Sequence, residues 1–378
     1  MSYDLYVELG GNTQKEIDAL VSGNHQGVEV SNIFERIRLL TAVAARNEKV
    51  KDYAVSGDRR QGGGYKSLVH DAQPTNTPYA KYLIGPALNQ FQGLRLIPIV
   101  PDLQALPPGS WFLQFTFTLA KPWISKDDDP FYVAESVNPV RKDKVFKVPM
   151  MSAASWKGLL RWTAMHTRLH QPVIASKVKQ SPEEFAQERF VQTLLFGDEK
   201  GEEPGETKDF AAYLDALKPE ARQEYEHLLR ACYELEPDEP LPHHSGRLMF
   251  YPTFFDLIDV EVINPHLRKT RAGTHPIYLE CVPQGAKGIF SLLYVPFDIV
   301  DQIPESIVEE SKKHLCYLAP MIKNLFLTYG FSAKRSSGYG VAKDEIVKGE
   351  IRTKADRRDL EKKKLSDLKQ EVGNVFFA

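Results

Sequence analysis

Nine consecutive residues set the frame of this chain. In Trp111 to Leu119, the apolar residues Trp111, Leu113, Phe115, Phe117 and Leu119 alternate with Phe112, Gln114, Thr116 and Thr118. A period of two sends successive side chains to opposite faces of a strand. After a long loop rich in Asp, Lys and Pro (Lys121 to Val148), a helix capped by Ser152 or Ser155 is predicted to run to about His170. Strands are predicted over Arg247–Tyr251, Leu257–Ile263, Ile277–Val282 and Ile289–Val295. A helix from Pro304 or Glu305 to Tyr329 follows, and a last strand from Val341 to Ile346.

Strand, helix, strands, helix, strand reduces to βαββαβ, the order of an α+β ferredoxin-like fold and the frame of RRM-like RNA-recognition modules. That core occupies residues 108–348. Within it, 171–245 reads as a charged helical insertion, Pro182 to Phe196 and Phe210 to Leu235, broken by a Gly/Glu-rich linker at Gly197–Thr207. Residues 1–107 form an N-terminal extension. A helix is predicted there from Ser31 to about Lys51, because Ile33, Ile37, Leu40 and Val43 recur at helical spacing. Gly57 to Lys66 is a basic glycine-rich loop, an RNA contact or a segment that orders on assembly. Pro101, Pro107, Pro108 and Gly109 punctuate the boundary. Residues 349–378 are a charged tail, predicted as a solvated helix with Phe376 and Phe377 for docking.

Composition narrows the classes. With 378 residues, 42% of them apolar, the chain buries a real core. Its net charge of −2 argues against polyanion binding over the whole surface, so nucleic-acid contacts must come from local patches. Cys232, Cys281 and Cys316 lie far apart, with neither zinc spacing nor a disulfide framework, which points to a reducing cytoplasm. No signal segment and no apolar run long enough for a bilayer is present, so no membrane role is expected. There is no Walker loop, no dinucleotide fingerprint and no Gly-x-Ser-x-Gly elbow. The adjacent His243 and His244 point to opposite sides of any strand, which favours a turn over a metal pair.

The chemistry concentrates in two places. Gly330-Phe331-Ser332-Ala333-Lys334-Arg335-Ser336-Ser337-Gly338-Tyr339-Gly340 combines glycines, adjacent cations and hydroxyls after an apolar helix. Glycine permits positive φ and close backbone approach, and Lys334, Arg335, Ser336 and Ser337 suit phosphate oxygens. The second place is the start of the first core helix. Lys157 and Arg161 sit four apart near its N-terminus, beside Ser155, in a pattern that offers an anion site or simply a capped helix with exposed cations. Gly158 favours the anion site, since a glycine inside a helix costs about 1 kcal/mol relative to alanine.

Together these motifs resemble the RAMP superfamily of CRISPR-associated proteins. Three elements in order carry the likeness: Pro149-x5-Ser155-Trp156-Lys157-Gly158-Leu159-Leu160-Arg161, then Gly246-Arg247-Leu248-Met249-Phe250, then Gly330–Gly340. The family's helix pattern is Pro-x-Ser-Ser-x-Lys-Gly-x-x-Arg, and its late loop often ends Gly-Tyr/Phe-Gly after basic residues. Ala154 replaces a usual serine, and the loop has fewer glycines than many members. The likeness spans about Trp111 to Ile346. It implies an RNA-binding subunit of a type III effector complex, with guide CRISPR RNA, target RNA and other effector subunits as partners. No cofactor is implied for RNA binding. The Asn264–Pro276 loop resembles a Pro-His loop of smaller Cmr-type subunits, and offers His266, Arg268, Lys269, Arg271 and His275 to phosphate or to a neighbouring subunit. A solvated hairpin loop is the alternative. Backbone subunits of such complexes also carry an aspartate, in a loop after the first strand, that cleaves target RNA with Mg2+. Asp127, Asp128 and Asp129 occupy that loop, with no basis for choosing among them and with a solvated acidic turn as the alternative; Asp143 is a weaker candidate. A related branch processes guide RNA with a histidine near the first helix. His166 and His170 lie late in this helix, where a packing or surface role is favoured.

Overall fold

The computed structural model describes residues 13–25, 28–55, 64–69, 77–127, 137–169, 180–198, 209–265, 273 and 276–377. The main helices are α1 (Gln14–Ser22), α2 (Ile33–Arg46), α3 (Ala153–Arg168), α4 (Pro182–Phe196), α5 (Asp209–Leu217), α6 (Arg222–Cys232), α7 (Pro304–Asn324) and α8 (Leu368–Gly373). From residue 111 onward the strands are β1 (Trp111–Thr118), β2 (Val137–Asn138), β3 (Met150–Met151), β4 (Leu248–Phe250), β5 (Thr253–Phe254), β6 (Asp259–Ile263), β7 (Ile277–Cys281), β8 (Lys287–Tyr294), β9 (Lys348–Thr353) and β10 (Arg357–Asp359).

The alternating stretch is the centre of an antiparallel sheet of order β10-β9-β1-β8-β4. Phe115 of β1 faces Phe290 of β8 on one side and Gly349 of β9 on the other. One face of β1 turns Trp111, Leu113, Phe115 and Phe117 into the main core. Trp156 of α3 stacks on Phe326 at 5.3 Å and meets Phe290 edge-on at 5.0 Å, which closes that core from the helix side. These aromatic contacts each add to the area they bury.

The other face is covered as well. Phe112 packs with Leu103, Leu293 and Val295, and Gln114 donates to the Pro98 carbonyl (2.7 Å) and to Ser291 Oγ (2.9 Å). Residues before β1 thus lie across the sheet. The N-terminal helices anchor to the turn before α3: the Tyr79 hydroxyl donates to the Lys147 carbonyl, Tyr82 Oη donates to Phe146 O at 3.0 Å, and Phe91 meets Phe146 edge-on at 5.0 Å. The helix predicted from Ser31 is α2, capped by Asn32.

Several elements differ from expectation. Val341–Ile346 is not a strand: only Ala342 bridges to Leu119, and the closing strand is β9. Ile351 of β9 is the buried residue that pairs with Leu113, whereas Asp344 and Glu345 are exposed. The charged tail is not a solvated helix either. It supplies β9, β10 and α8, and buries Leu360, Leu365, Leu368, Val372 and Val375. Of the two phenylalanines offered for docking, Phe377 packs on the core and Phe376 is exposed. The predicted Phe210–Leu235 helix breaks at Pro219 into α5 and α6, because proline interrupts helical hydrogen bonding. β6 and β7 leave the main sheet and form a smaller one of order β2-β7-β6.

Candidate nucleic-acid interface

α7 ends in a π-helical turn, Leu325–Tyr329, that delivers the chain into the Gly330–Gly340 loop. The two end glycines clamp it. Both have positive φ (74° and 68°), and Phe331 N–H donates to Gly340 O at 2.9 Å. A Cβ on Gly340 would lie 2.3 Å from Ser332 Cβ and 2.7 Å from its nitrogen, so only glycine fits. The loop is then stitched to the segment leaving β1. Ser332 Oγ accepts from Ile124 N–H (2.7 Å) and donates to Ile124 O (2.9 Å). Ala333 N–H donates to the same carbonyl at 2.8 Å, Gly340 N–H to Pro122 O at 2.8 Å and Trp123 Nε1 to Phe331 O at 3.0 Å. What projects from this fixed base is the turn Lys334–Ser337. Lys334 takes a left-handed φ of 57°, Arg335–Ser337 form a 3-10 turn, and Gly338 caps it at φ 81°. Lys334, Ser336 and Ser337 are exposed.

Facing the loop is the start of α3. Ser152 is the N-cap: its Oγ accepts from Ser155 N–H at 3.2 Å and lies 2.9 Å from Ser155 Oγ. An open cleft of about 400 Å3 separates the two elements, lined by Ser125, Ser155, Gly158, Leu159, Trp162 and Arg335 among others. A Cβ at Gly158 would meet nothing within 4 Å, so protein packing does not demand the glycine there. Arg335 is half-buried, its guanidinium carbon 4.1 Å over the Trp162 ring. Burial holds its pKa below the ordinary arginine value, and its Nη1 has no hydrogen-bond partner among the described residues.

The two cations near the start of α3 lie four apart on a neighbouring strip of the helix. Lys157 is exposed, and Arg161 is half-buried with its guanidinium 4.8 Å over Phe210 of α5. Sequence reasoning missed Trp162. Its signal was a spacing of four, Gly158-Trp162-His166, which places a gap, an indole and an imidazole on one helix face. His166 stacks on Trp162 at 3.8 Å, a packing role; His170 lies outside the described residues.

Other candidates distribute as follows. Asp127 is half-buried, with its N–H donating to Pro139 O at 3.1 Å, two residues beyond Ser125. Asp128 and Asp129 lie outside the described residues, as do His266, Arg268, Lys269, Arg271, His275 and the 56–63 part of the N-terminal basic loop. Asp143 Oδ1 accepts from Val145 N–H (2.9 Å) and Phe146 N–H (2.6 Å), which makes it a turn residue. Among the described residues no three of His, Cys, Asp and Glu converge on a metal-sized site. His244 is buried 3.3 Å from Leu194 O and His243 lies 3.1 Å from Asp198, so the pair serves the turn before β4.

Arg247, in the middle motif, is structural. Its Nε and Nη2 each donate to Asp298 at 2.7 Å, and Nη1 donates to Glu310 at 2.5 Å and to Tyr294 Oη at 3.3 Å. Tyr294 Oη in turn lies 2.9 Å from His314 Nδ1. Burial, then Arg247, push the His314 pKa down to about 3, so that imidazole is neutral.

The RAMP superfamily profile matches residues 129–343, more than half of the chain. Among solved structures, the chain is similar to one in the type III-B Cmr-beta complex bound to cognate target RNA. Identity is 11% over 90% of this chain and 100% of that one, with a TM-score of 0.43. A chain of the Csm3–Csm4 subcomplex of the type III-A CRISPR–Cas interference complex shows 12% identity over 72% of this chain and 99% of that one, with a TM-score of 0.33. A chain of a CRISPR RNA-guided surveillance complex shows 12% identity over 64% and 68%, with a TM-score of 0.35. No curated protein matches. No helix among the described residues is long and apolar enough to cross a membrane.

Proposed function

The chain belongs to the RAMP superfamily, and from that footing we propose that it is an RNA-binding subunit of a type III CRISPR RNA-guided effector complex. It holds the guide RNA by its backbone and helps position target RNA for antiviral defence, with other effector subunits as neighbours. The observation that carries this is the Gly330–Gly340 loop: a backbone fixed by hydrogen bonds to the β1 exit, presenting Lys334, Ser336 and Ser337 outward. Preformed donors and a cation suit phosphates without reading sequence. The ferredoxin-like core of the reading is supported by the sheet order β9-β1-β8-β4, with α3 between β1 and β4 and α7 between β8 and β9. The sheet face away from the helices is covered by residues between 98 and 106, which supports the loop side as the RNA path in this reading.

Reversing both charges with Lys334→Glu and Arg335→Glu tests this. The assembled complex is expected to lose most of its guide RNA, and the affinity of the wild-type chain for single-stranded RNA to fall steeply between 50 and 200 mM salt. A full complement of guide RNA in the double variant, or salt-insensitive binding, overturns the reading.

One observation favours a second activity. Asp127 stands two residues past Ser125, a cleft-lining residue, so the first of the three aspartates follows closely on the proposed RNA path. One aspartate among Asp127, Asp128 and Asp129 would hold Mg2+ against a target phosphate, and the ion would supply charge stabilisation for attack by the ribose 2′-hydroxyl. Replacing the three aspartates by alanine is expected to abolish one Mg2+-dependent cleavage product with assembly intact. Unchanged cleavage removes this activity.

A further inference from the structure

Three planar groups stack beside the cleft, and the outermost belongs to its wall. The His166 ring lies 3.8 Å from that of Trp162, centroid to centroid, at an interplanar angle of 27°. The Arg335 guanidinium carbon lies 4.1 Å over the same indole. Two planar groups so near one centroid would collide on a shared face, so they take opposite faces. The column His166–Trp162–Arg335 therefore ends on the Arg335 guanidinium.

Arg335 differs from its neighbour in how it is held. Lys334 is exposed, free to meet a phosphate as a point charge. Arg335 is seated over a ring, with Nη1 buried and unpartnered among the described residues. That is an expensive arrangement for a phosphate contact, since a buried unpaired donor costs free energy that an outward rotamer would avoid. It does suit a plate. Opposite, Gly158 leaves open space, and Met151 and Leu159 give the cleft apolar walls, with Ser125 and Ser155 as its hydroxyls. Guanidinium planes, like aromatic rings, are surfaces on which unstacked RNA bases lie.

Resting on the RNA-binding reading, we propose that the cleft takes one splayed nucleobase of the bound strand. The base stacks on the outer face of Arg335, and the flanking phosphates lie on Lys334, Ser336 and Ser337. A stacking plate accepts any base, so the cleft marks the position of one nucleotide without reading its identity. The chain thereby fixes the register of the strand as well as its path.

The test compares two ligands on the full chain: a single-stranded RNA oligomer and a ribose-phosphate oligomer of equal length lacking every base. The base-free oligomer is expected to bind roughly tenfold more weakly, within the range of one base–aromatic stack. Arg335→Lys keeps the charge and loses the plane, and is expected to shrink that gap to less than about twofold. Gly158→Leu, which fills the open side of the cleft from an exposed helix position, is expected to shrink it likewise. Equal binding of both oligomers by the wild-type chain overturns the base cleft and leaves backbone holding intact. A gap that survives both substitutions also overturns it, because the base then lies elsewhere. Binding of neither oligomer overturns both readings.

Discussion

Two glycines with opposite surroundings show how single residues divide between fold and function here. Gly340 sits at φ 68° with Ser332 where a Cβ would go. Gly158 sits inside α3 with nothing within 4 Å of that point. Gly340→Ala is therefore expected to destabilise by at least about 1–2 kcal/mol, the ordinary left-handed penalty, with the collision adding to it. Gly158→Ala is expected to stabilise by up to about 1 kcal/mol, because alanine is the better helix former. Thermal denaturation of the two variants checks both signs. Both glycines were legible in the sequence as places of close approach. Their difference was not, because it depends on Ser332 being held by Ile124, a contact between segments far apart in the chain. Arg335 was legible as a cation, but its seat over Trp162 depends on a helix and a loop meeting in space.

Among the elements, local pattern decided what the sequence disclosed. β1 was plain because its alternation lies within nine residues, and α4 because Ser181 and Glu184 form a capping box before an apolar run. The tail was misread because its buried residues, Ile351, Leu360, Leu365, Leu368 and Val372, are thinly spread among charges. Those charges are used: Glu350 pairs with Arg352 and Arg357, each at 2.7 Å, and Arg358 reaches Glu371 at 2.5 Å. The arginines of these pairs stay in contact with solvent, which weakens each pair, so the tail is held chiefly by its apolar residues. Its removal has a definite consequence. A chain ending at Ile346 loses β9 and bares the edge of β1, whose unpaired backbone groups then template association. Such a chain is expected to elute as aggregate in size-exclusion chromatography. A monomeric peak with unchanged melting temperature would fit a solvated tail instead.

The molecule's acid stability is expected to follow from the group that joins β4, β8 and α7. Arg247, just before β4, joins Asp298, Glu310, Tyr294 and His314 in one network, in which Arg247, Tyr294 and His314 are buried and the two carboxylates reach solvent. Its charged members are paired, which a buried guanidinium requires. His314 is held neutral by burial and by the nearby Arg247, with a folded pKa of about 3 against roughly 6.5 in an unfolded chain. The sign follows from proton counts. Between those two values the unfolded state binds the proton and the folded state does not, so stability rises with pH through the window. This contribution is fully present above about pH 6.5 and is lost progressively as pH falls toward 3, with a slope of at most about 1.4 kcal/mol per pH unit. His314→Asn removes the titrating group while keeping a polar side chain near Tyr294. Urea unfolding of both chains at pH 7, 6, 5 and 4 is expected to show the wild-type protein losing stability faster than the variant. The carboxylates common to both chains, Asp298 and Glu310 included, cancel in that difference to the extent that the substitution leaves their pairing with Arg247 in place. Parallel curves would mean that His314 is protonated in the folded protein or that its burial is relieved on the acid side.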